Sequence, residues 1–469
     1  MRTPAFSLND RRHRLLTGPV SRVLFDLSWP MSVGLLSVIA INVTDTFYLG
    51  RLGGDELGAL GFCFPVIFGM SAIAIGMGNG GAAVVSRALG AEKTGEAKAL
   101  ITATLLFTML FALCLAFIML RISDAVFLAL GAPESLLGLI NSYMTVWYWG
   151  LPLFVAPIVL NGLVRATGEA MVPSVLMVIA AALNAMISPL IIFGLWDFPA
   201  LGMTGAALAS VIARVTIMLL GVAWLVRADL LSIGSAALKQ FFPCTAEVLK
   251  YGAPAFLAQL AGPVGGAIAT RILASAGPEA VAGFAVGARI EALALIPFFA
   301  LQTGVTPFIG QNLGAGKTDR LRCAERDVWR FALLWGGVGG LVLWCCGGTL
   351  SSAFTSDEAI STLSDHYLEA IALGLWGAGL LIAGIGIINP LGYPNVALAT
   401  SALRFLGLYA GLALALFAGF GWSPTQAVFT AAGLSFAVSG LAASGIFHVL
   451  LSRADRKHGV LDKPELAPR

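Results

Sequence analysis

The sequence predicts an all-α membrane protein of twelve transmembrane helices arranged as two six-helix repeats. Of the 469 residues, 58% are hydrophobic and only 11% are charged. In addition, the sequence of the first half of the chain is partly repeated in the second half. The mean hydropathy is +0.89. A soluble protein with so few polar residues could not cover its own surface, so the natural solvent of this chain is lipid.

Twelve apolar segments are long enough to cross a bilayer, which takes about 20 residues. Their apolar runs are continuous rather than alternating, which favours helices over barrel strands. The spans of the first half are 24–51, 57–86, 98–121, 136–163, 171–195 and 203–226. Those of the second half are 248–276, 281–309, 326–347, 361–388, 396–418 and 425–451.

Basic residues predict the orientation. Most of the 28 lysines and arginines lie in the two tails and in the loops that follow spans 2, 4, 6 and 8. By the positive-inside rule both termini are cytoplasmic, in a multi-pass protein of the inner (plasma) membrane. Residues 1–22 are polar and basic, with no apolar signal core, and are predicted to be a cytoplasmic tail. Residues 452–469 are predicted to be a disordered cytoplasmic tail.

An internal repeat runs through the chain at a constant offset of 224 residues, as in the matches of Pro30 to Pro254 and of Tyr143 to Tyr367. The loop LGAEKT of the first half likewise matches LGAGKT of the second. Because each repeat has an even number of spans, both halves enter the membrane in the same direction. The predicted organisation is an N-lobe (23–226), a cytoplasmic linker (227–247) and a C-lobe (248–451).

These motifs resemble a known family. The first span ends VTDTFYLGRLG, the repeat loops read LGAEKT and QNLGAGKT, span 4 ends RATG, and span 8 contains ARIE. Together they resemble the multidrug and toxic compound extrusion (MATE) family, with a closer match to its DNA-damage-inducible-protein-F-like (DinF-like) branch. The resemblance covers essentially the whole chain. It implies two six-helix lobes in a V and export of an organic solute against inward flow of protons or sodium ions.

Asp45 is the main candidate for cation coupling, because an ionised carboxylate inside an apolar span costs several kcal/mol unless it is paired or hydrated. Asn42 and Tyr48 lie three residues away on the same helix face, and we expect them to hydrogen-bond the carboxylate. The alternative is a structural ion pair with an arginine of a neighbouring helix. The resemblance places Asp45 on the aspartate of the N-lobe cation site. It also places Pro30 on a proline at which this helix bends in some members, the alternative being a plain kink.

Asn184 and Ser188 complete the predicted coupling site on span 5. The family often has Asn-x-x-x-Asp-Pro here, whereas this chain reads Asn184-Ala-Met-Ile-Ser188-Pro. The spacing keeps both residues on one face of the helix, but a serine replaces the aspartate of the family motif. Hard cations want several oxygens and charge compensation, so the sequence favours proton coupling over sodium coupling. An ordinary packing role for Ser188 remains open.

Glu291 is the second intramembrane acid, and it is either part of the substrate cavity or a salt-bridge partner of Arg271 or Arg404. Arg214 lies too deep in its span to snorkel easily and should face the lobe interior or the cavity. The candidates for the substrate cavity are therefore Asn42, Tyr48, Arg214 and Glu291. Four arginines within spans against two deep acids predict a net positive interior (Arg214, Arg271, Arg289 and Arg404).

Other side chains support fewer conclusions. An aromatic cluster in span 4 predicts an interfacial belt, with a wall for aromatic substrates as the alternative (Tyr143, Trp147, Tyr148 and Trp149). The six cysteines and four histidines lack metal-ligand spacing, so no metal site is predicted. No cofactor is predicted apart from the coupling proton or sodium ion.

The resulting prediction is a cation-coupled antiporter that exports amphipathic organic compounds. The alternatives are an organic-anion exporter of the same family and a lipid-linked oligosaccharide flippase of the wider superfamily. No pattern of convergent catalytic groups such as HExxH is present, so an enzyme is not predicted. We expect a monomer that contacts membrane lipid, acts on small organic molecules and binds no nucleic acid.

Overall fold

The computed structural model describes residues 8–196, 199–232 and 235–459. These residues form helices joined by short turns, without a strand among them. The first seven helices are α1 (Leu8–Thr17), α2 (Val20–Gly50), α3 (Gly54–Gly90), α4 (Thr94–Ala129), α5 (Glu134–Ala166), α6 (Met171–Phe193) and α7 (Gly202–Arg227). The others are α8 (Ser235–Ala274), α9 (Pro278–Gly314), α10 (Thr318–Ser352), α11 (Glu358–Ala372), α12 (Leu375–Ile388), α13 (Pro394–Gly419) and α14 (Pro424–Gly459).

The predicted fold class, twelve spans in an all-α membrane protein, is confirmed. Within the described ranges, eleven helices are long and apolar enough to cross a membrane, and α11 and α12 together form one further span bent by 62°. The sequence predicted this span, 361–388, as one continuous helix. The break coincides with Gly374, where α14 comes so close that a Cβ would lie 2.3 Å from the carbonyl oxygen of Gly433.

Helix α13 also departs from regular α-helical geometry. Its turns from Leu403 to Gly411 and from Ala415 to Gly419 are π-helical. Such turns are rare and are frequent at functional sites. The first of them contains Arg404, one of the arginines singled out in the sequence.

The predicted tails and linker are more helical than expected. In the segment 1–22, the described residues form α1 and the start of α2, because Leu15 and Leu16 are buried and give the segment an apolar side. In the linker 227–247, helix α8 already begins at Ser235, with Cys244 buried. In the C-terminal tail, α14 continues to Gly459, and residues 460–469 lie outside the described ranges.

Basic side chains hold the carboxyl end of α1. The Arg320 guanidinium donates to the carbonyl oxygens of Leu15 (3.1 Å) and Gly18 (2.7 Å). The Lys317 ammonium donates to Leu16 O (3.0 Å). The last carbonyls of a helix have no partner within the helix, and cations there also interact favourably with the helix dipole. The carboxyl end of α1 is therefore capped by residues of the LGAGKT loop and α10.

Contacts divide the chain into two compact units. The first unit contains α1 up to Arg11, Pro30–Leu89 and Lys93–Phe256. The second contains Arg12–Trp29, Gly90–Glu92 and the chain from Leu257 onward.

This division differs from the lobes predicted as 23–226 and 248–451. The start of α2 belongs to the second unit, and the start of α8 belongs to the first. Pro30 is the first residue of α2 in the first unit, and its repeat partner Pro254 lies close to the corresponding change in α8. A proline inside a helix removes one backbone hydrogen bond and kinks the helix.

Small residues allow the helices of each unit to approach closely. In the first unit, a Cβ on Gly162 of α5 would lie 2.7 Å from the carbonyl oxygen of Gly78 of α3. In the second unit, a Cβ on Gly440 of α14 would lie 2.4 Å from Cα of Gly377 in α12. Because lipid supplies no hydrophobic drive between helices, such close packing is a main source of their association.

Candidate functional site

The first unit contains a buried carboxylate that is connected by hydrogen bonds to two other polar side chains. Asp45 of α2 is only 7% exposed, and its Oδ2 accepts a hydrogen bond from the Ser210 hydroxyl of α7 at 3.2 Å. Ser210 in turn accepts one from the Asn184 amide of α6 at 3.0 Å. Three helices that are distant in sequence thus bring Asp45 and Asn184 into one site.

Two oxygens of this site, Asp45 Oδ1 and Asn184 Oδ1, are buried and have no hydrogen-bond partner among the described residues. Ser188 Oγ, one turn further along the same helix as Asn184, is likewise buried without such a partner. An unsatisfied buried polar atom costs about 1–3 kcal/mol. A proton or a cation entering the site would therefore meet acceptors that the protein itself leaves unused.

Arg214 lies near Asp45 but does not neutralise it directly. Its guanidinium packs over the rings of Phe154 (3.9 Å) and Trp147 (5.7 Å). It attracts Asp45 electrostatically, yet the described residues contain no ion pair of Asp45 within 4.0 Å. The alternative of a structural ion pair at Asp45 is therefore wrong for this structure.

The expected partners of the Asp45 carboxylate are also wrong. Asn42 is exposed, and the Tyr48 hydroxyl donates to the carbonyl oxygen of Ala185 at 3.3 Å. Ser210, which does bond the carboxylate, was not identified from the sequence. The available signal was its position four residues before Arg214, on the same face of α7.

The aromatic cluster of α5 is mostly interior. Tyr143, Trp147 and Tyr148 are buried, and only Trp149 is widely exposed, at 60%. The interpretation as an interfacial belt is therefore wrong for the first three residues. Trp147 packs edge-on against Phe154 at 4.4 Å, beneath the Arg214 guanidinium.

The second unit contains a comparable acid. Glu291 of α9 accepts a hydrogen bond from the Tyr367 hydroxyl of α11. Arg404 of α13 packs over the rings of Phe405 (4.1 Å) and Phe436 (3.9 Å) and attracts Glu291 electrostatically. The described residues include no direct ion pair of Glu291 with Arg404 or with the exposed Arg271.

The two units resemble each other in this arrangement. Tyr143 and Tyr367 match in the repeat: Tyr367 donates a hydrogen bond to Glu291, and Tyr143 lies within electrostatic range of Asp45. Arg271 and Arg289 are exposed, which leaves Arg214 and Arg404 as the guanidinium groups near the two acids. One arginine thus accompanies one acid in each unit, and the net positive interior stays a prediction.

Metal-ligating groups do not cluster in the described ranges, which contain no group of three or more His, Cys, Asp or Glu side chains placed to hold a metal ion. The polar sites of both units consist instead of one carboxylate, hydroxyl groups and one guanidinium. Such groups can bind and release protons and orient an organic molecule.

A family model described as MatE matches residues 30–190 and 254–414. The two matched segments begin and end 224 residues apart, which is the repeat offset found in the sequence. Among curated proteins, the chain is 31% identical to a protein of Shewanella oneidensis named FAD transporter, over 86% of this chain and 89% of that protein. It is 27% identical to the multidrug export protein MepA of Staphylococcus aureus, over 79% and 80%.

Solved structures show the same architecture. The Vibrio cholerae MATE transporter VcmN in its bent form superposes with a TM-score of 0.86 at 28% identity, covering 96% of this chain and 99% of that one. A MOP superfamily transporter from Pyrococcus furiosus superposes with a TM-score of 0.88 at 22% identity, covering 97% and 100%. The second likeness concerns the fold alone.

Proposed function

Since the chain belongs to the multidrug and toxic compound extrusion (MATE) family, we propose that it exports amphipathic organic compounds across the inner membrane by alternating access, in exchange for protons. The resemblance seen in the sequence is thus confirmed at the level of the family. Relatives that are named for transport of organic compounds support the substrate class. Both termini are proposed to be cytoplasmic, on the distribution of basic residues.

The buried carboxylate of Asp45 is the observation that carries the coupling step. An ionised acid at this position is costly in a membrane, and the Ser210 hydrogen bond offsets only part of that cost. Proton binding removes the charge, whereas proton release restores a negative group that attracts water or a cation. Asn184 and Ser188 complete this coupling site, the first through Ser210 and the second through its unused hydroxyl.

Protons fit this site better than sodium ions. Sodium is a hard cation that prefers several oxygens and compensating charge. The site offers one carboxylate, because a serine stands at 188, and the Arg214 guanidinium adds a nearby positive charge. A proton moving down 100 mV supplies about 2.3 kcal/mol for export.

The test is export of a fluorescent cationic dye from proteoliposomes under a proton gradient alone and under a sodium gradient alone. Wild type should respond to the proton gradient. Asp45→Asn keeps the side-chain shape and an oxygen that accepts from Ser210, but it cannot titrate, so it should fold and lose gradient-driven export. The exposed acid Asp55 of the same unit supplies the matched control, Asp55→Asn.

A variant Asp45→Asn that exports dye as well as wild type would refute the coupling role of Asp45. A response of wild type to the sodium gradient alone would refute proton coupling while leaving Asp45 as the cation site. Comparable yield and thermal stability of both variants are required before either result is interpreted.

Export of organic anions is the second candidate function. The relative with 31% identity is named FAD transporter, and a flavin dinucleotide carries two phosphates. Among the described residues, the guanidinium groups of Arg214 and Arg404 lie beside aromatic rings and have no direct ion pair. Uptake of flavin nucleotides into everted vesicles, compared with vesicles that lack the protein, tests this candidate.

A further inference from the structure

We propose that Arg404 and Tyr409 form a subsite for a phosphate group of an exported aromatic compound, and that Glu291 must take up a proton when this group binds. The proposal rests on the second candidate function, export of organic anions. All the residues concerned belong to the second unit. The coupling site of Asp45 takes no part in it.

Unused donors are the first observation. Arg404 is 9% exposed and Tyr409 is 8% exposed. The Arg404 Nε and the Tyr409 hydroxyl have no hydrogen-bond partner among the described residues. Leaving such groups unpaired in the interior is costly, and a phosphate oxygen is an acceptor that suits both of them. A guanidinium group binds phosphate with matched geometry as well as charge.

The π-helical turn is the second observation, independent of the first. Arg404 and Tyr409 are five residues apart within the π-helical stretch of α13. In a π-helix, hydrogen bonds join residues five apart, so these two side chains lie about one turn apart on the same face. In an α-helix of 3.6 residues per turn they would point in different directions. The irregular turn therefore brings the two donors together.

Packing keeps the guanidinium group in place. The Arg404 guanidinium packs over the rings of Phe405 and Phe436 at about 4 Å. Stacking of this kind holds the planar group by cation–π attraction without using its hydrogen-bond donors. The subsite thus has a fixed orientation before a ligand arrives, which reduces the entropy lost on binding.

Glu291 supplies the internal negative charge that balances Arg404. Among the described residues, the titratable groups that act on Glu291 are Tyr367 of α11 and Arg404 and Tyr409 of α13. Helix α12 carries no titratable residue, and Arg289 of α9 is exposed. When Glu291 is ionised, an added phosphate would place two negative groups beside one guanidinium. Protonation of Glu291 leaves the guanidinium free to pair with the ligand.

Anion and proton are therefore expected to bind together. In a medium of low dielectric constant, the repulsion between Glu291 and a phosphate is strong. Linkage is reciprocal, so acidification strengthens phosphate binding to the same extent that phosphate favours protonation of Glu291.

The experiment measures binding of flavin mononucleotide and riboflavin to the purified full-length protein in lipid nanodiscs, by flavin fluorescence from pH 5.5 to 8.5. The two probes share the ring system and differ by one phosphate. Wild type should bind the phosphorylated probe more tightly at low pH, with uptake of about one proton per ligand as measured with a pH indicator in weak buffer. Riboflavin, which lacks the phosphate, should bind without uptake or release of a proton at this site.

Variants assign the effect to residues. Arg404→Gln should weaken binding of the phosphorylated probe about tenfold or more, as expected for a lost charge-assisted hydrogen bond, and riboflavin binding should be unchanged. Glu291→Gln should bind the phosphorylated probe at all pH values and take up about one proton per ligand less than wild type, because only the phosphate monoester itself, with a second pKa of about 6, still titrates. Tyr409→Phe, which keeps the ring, should lose a few-fold in affinity for the phosphorylated probe only.

The proposal is overturned if wild type binds both probes equally at every pH, or if Glu291→Gln retains the proton uptake of wild type. Should Arg404→Gln fail to fold, Arg404→Lys and Tyr409→Phe test the same subsite, and unchanged phosphate dependence in both also overturns it. The second candidate function is tested separately, by transport. If flavin nucleotides do not accumulate in everted vesicles, export of organic anions is refuted, whatever the purified protein binds.

Discussion

The Ser210 hydroxyl donates a hydrogen bond to the Asp45 carboxylate at 3.2 Å, although the two residues are 165 positions apart. This bond stabilises the ionised form of the acid at a place where lipid and protein both disfavour charge. Because Ser210 also accepts from Asn184, the hydroxyl hydrogen is directed toward the carboxylate. Ser210 thus links Asn184 of α6 to Asp45 and, together with the more distant Arg214, connects α7 to the acid.

The first prediction concerns Ser210→Ala. Removing the donor destabilises the ionised form of Asp45, so protonation should occur at higher pH, and the midpoint of the pH profile of export should rise. A hydrogen bond to a charged group contributes about 1.5–3 kcal/mol, of which a fraction is recovered by water, so a rise of about one pH unit is expected. The measurement is the initial rate of proton-driven dye export between pH 5.5 and 8.5.

Ser439→Ala is the matched control for this experiment. Ser439 is a buried serine of α14 in the second unit, and its hydroxyl donates to backbone carbonyls of its own helix, so it does not touch Asp45. The pH profile of dye export by Ser439→Ala should therefore follow that of wild type. An unchanged midpoint in Ser210→Ala would mean that the bond has no influence on the proton step.

The second prediction is that Ser188→Asp gives the protein a response to sodium. Ser188 is fully buried with an unused hydroxyl, four residues after Asn184 on α6. A carboxylate there would add oxygens and a second negative charge to the site of Asp45, and both are features that hard cations require. Dye export under a sodium gradient alone should appear in Ser188→Asp and be absent in wild type.

Ser188→Asn serves as the size-matched control, because it adds an oxygen without the charge. If Ser188→Asp folds but exports dye only under a proton gradient, the argument that the missing acid determines ion choice is wrong. Sodium-dependent thermal stabilisation of the purified variant gives a second readout, since a bound ion stabilises the folded state.

The twelve-span fold could be predicted because composition, run length and the 224-residue repeat are local or periodic properties of the sequence. The bend at Gly374 could not, because it coincides with a close approach of α14 that depends on the tertiary fold. The π-helical turns of α13 lie within an ordinary apolar run that predicts a regular helix. The same holds for the N-terminal segment: α1 is short and polar on one side, and its carboxyl end is bonded by Arg320, about 300 residues further along the chain.

The site was predicted only in part. Asp45 could be singled out because an ionised carboxylate is costly within an apolar span, whereas Asn184 and Ser188 were singled out through the resemblance to the family motif. The partners of Asp45 depend on how helices are rotated against each other, which spacing within one helix does not determine. Tyr48 accordingly bonds to Ala185 rather than to the acid, and the decisive serine lies on α7.

The third prediction concerns the contact between α12 and α14. In Gly440→Ala, the new Cβ would lie 2.4 Å from Cα of Gly377, and backbone atoms cannot move aside without separating the helices. Overpacking of this kind costs typically about 1–3 kcal/mol. The thermal unfolding midpoint of the purified protein should therefore fall.

Gly445→Ala is the matched control on the same helix, because a Cβ there meets nothing within 4 Å. Alanine is the better helix former by up to about 1 kcal/mol, so this variant should unfold at the same temperature as wild type or higher. Equal destabilisation of both variants would show that loss of glycine, rather than the close approach to Gly377, determines the result.

The fourth prediction is that Arg320→Ala releases the carboxyl end of α1. Arg320 donates to the carbonyls of Leu15 and Gly18 and also to Asn312 Oδ1 at 2.9 Å. Loss of these bonds leaves helix-terminal carbonyls without a partner, so α1 should open more often. Hydrogen exchange measured by mass spectrometry should be about tenfold faster in peptides from α1, as expected for a loss of roughly 1.4 kcal/mol.

The matched control is Arg330→Ala, because Arg330 lies on the same helix, is exposed and, among the described residues, forms a 4.0 Å ion pair with Asp327 rather than a bond to α1. Exchange in α1 should be unchanged in this variant. Peptides from α14 provide an internal reference in both variants, since neither arginine bonds to that helix among the described residues. If α1 exchanges at the wild-type rate in Arg320→Ala, then Lys317 and the buried Leu15 and Leu16 suffice to hold it.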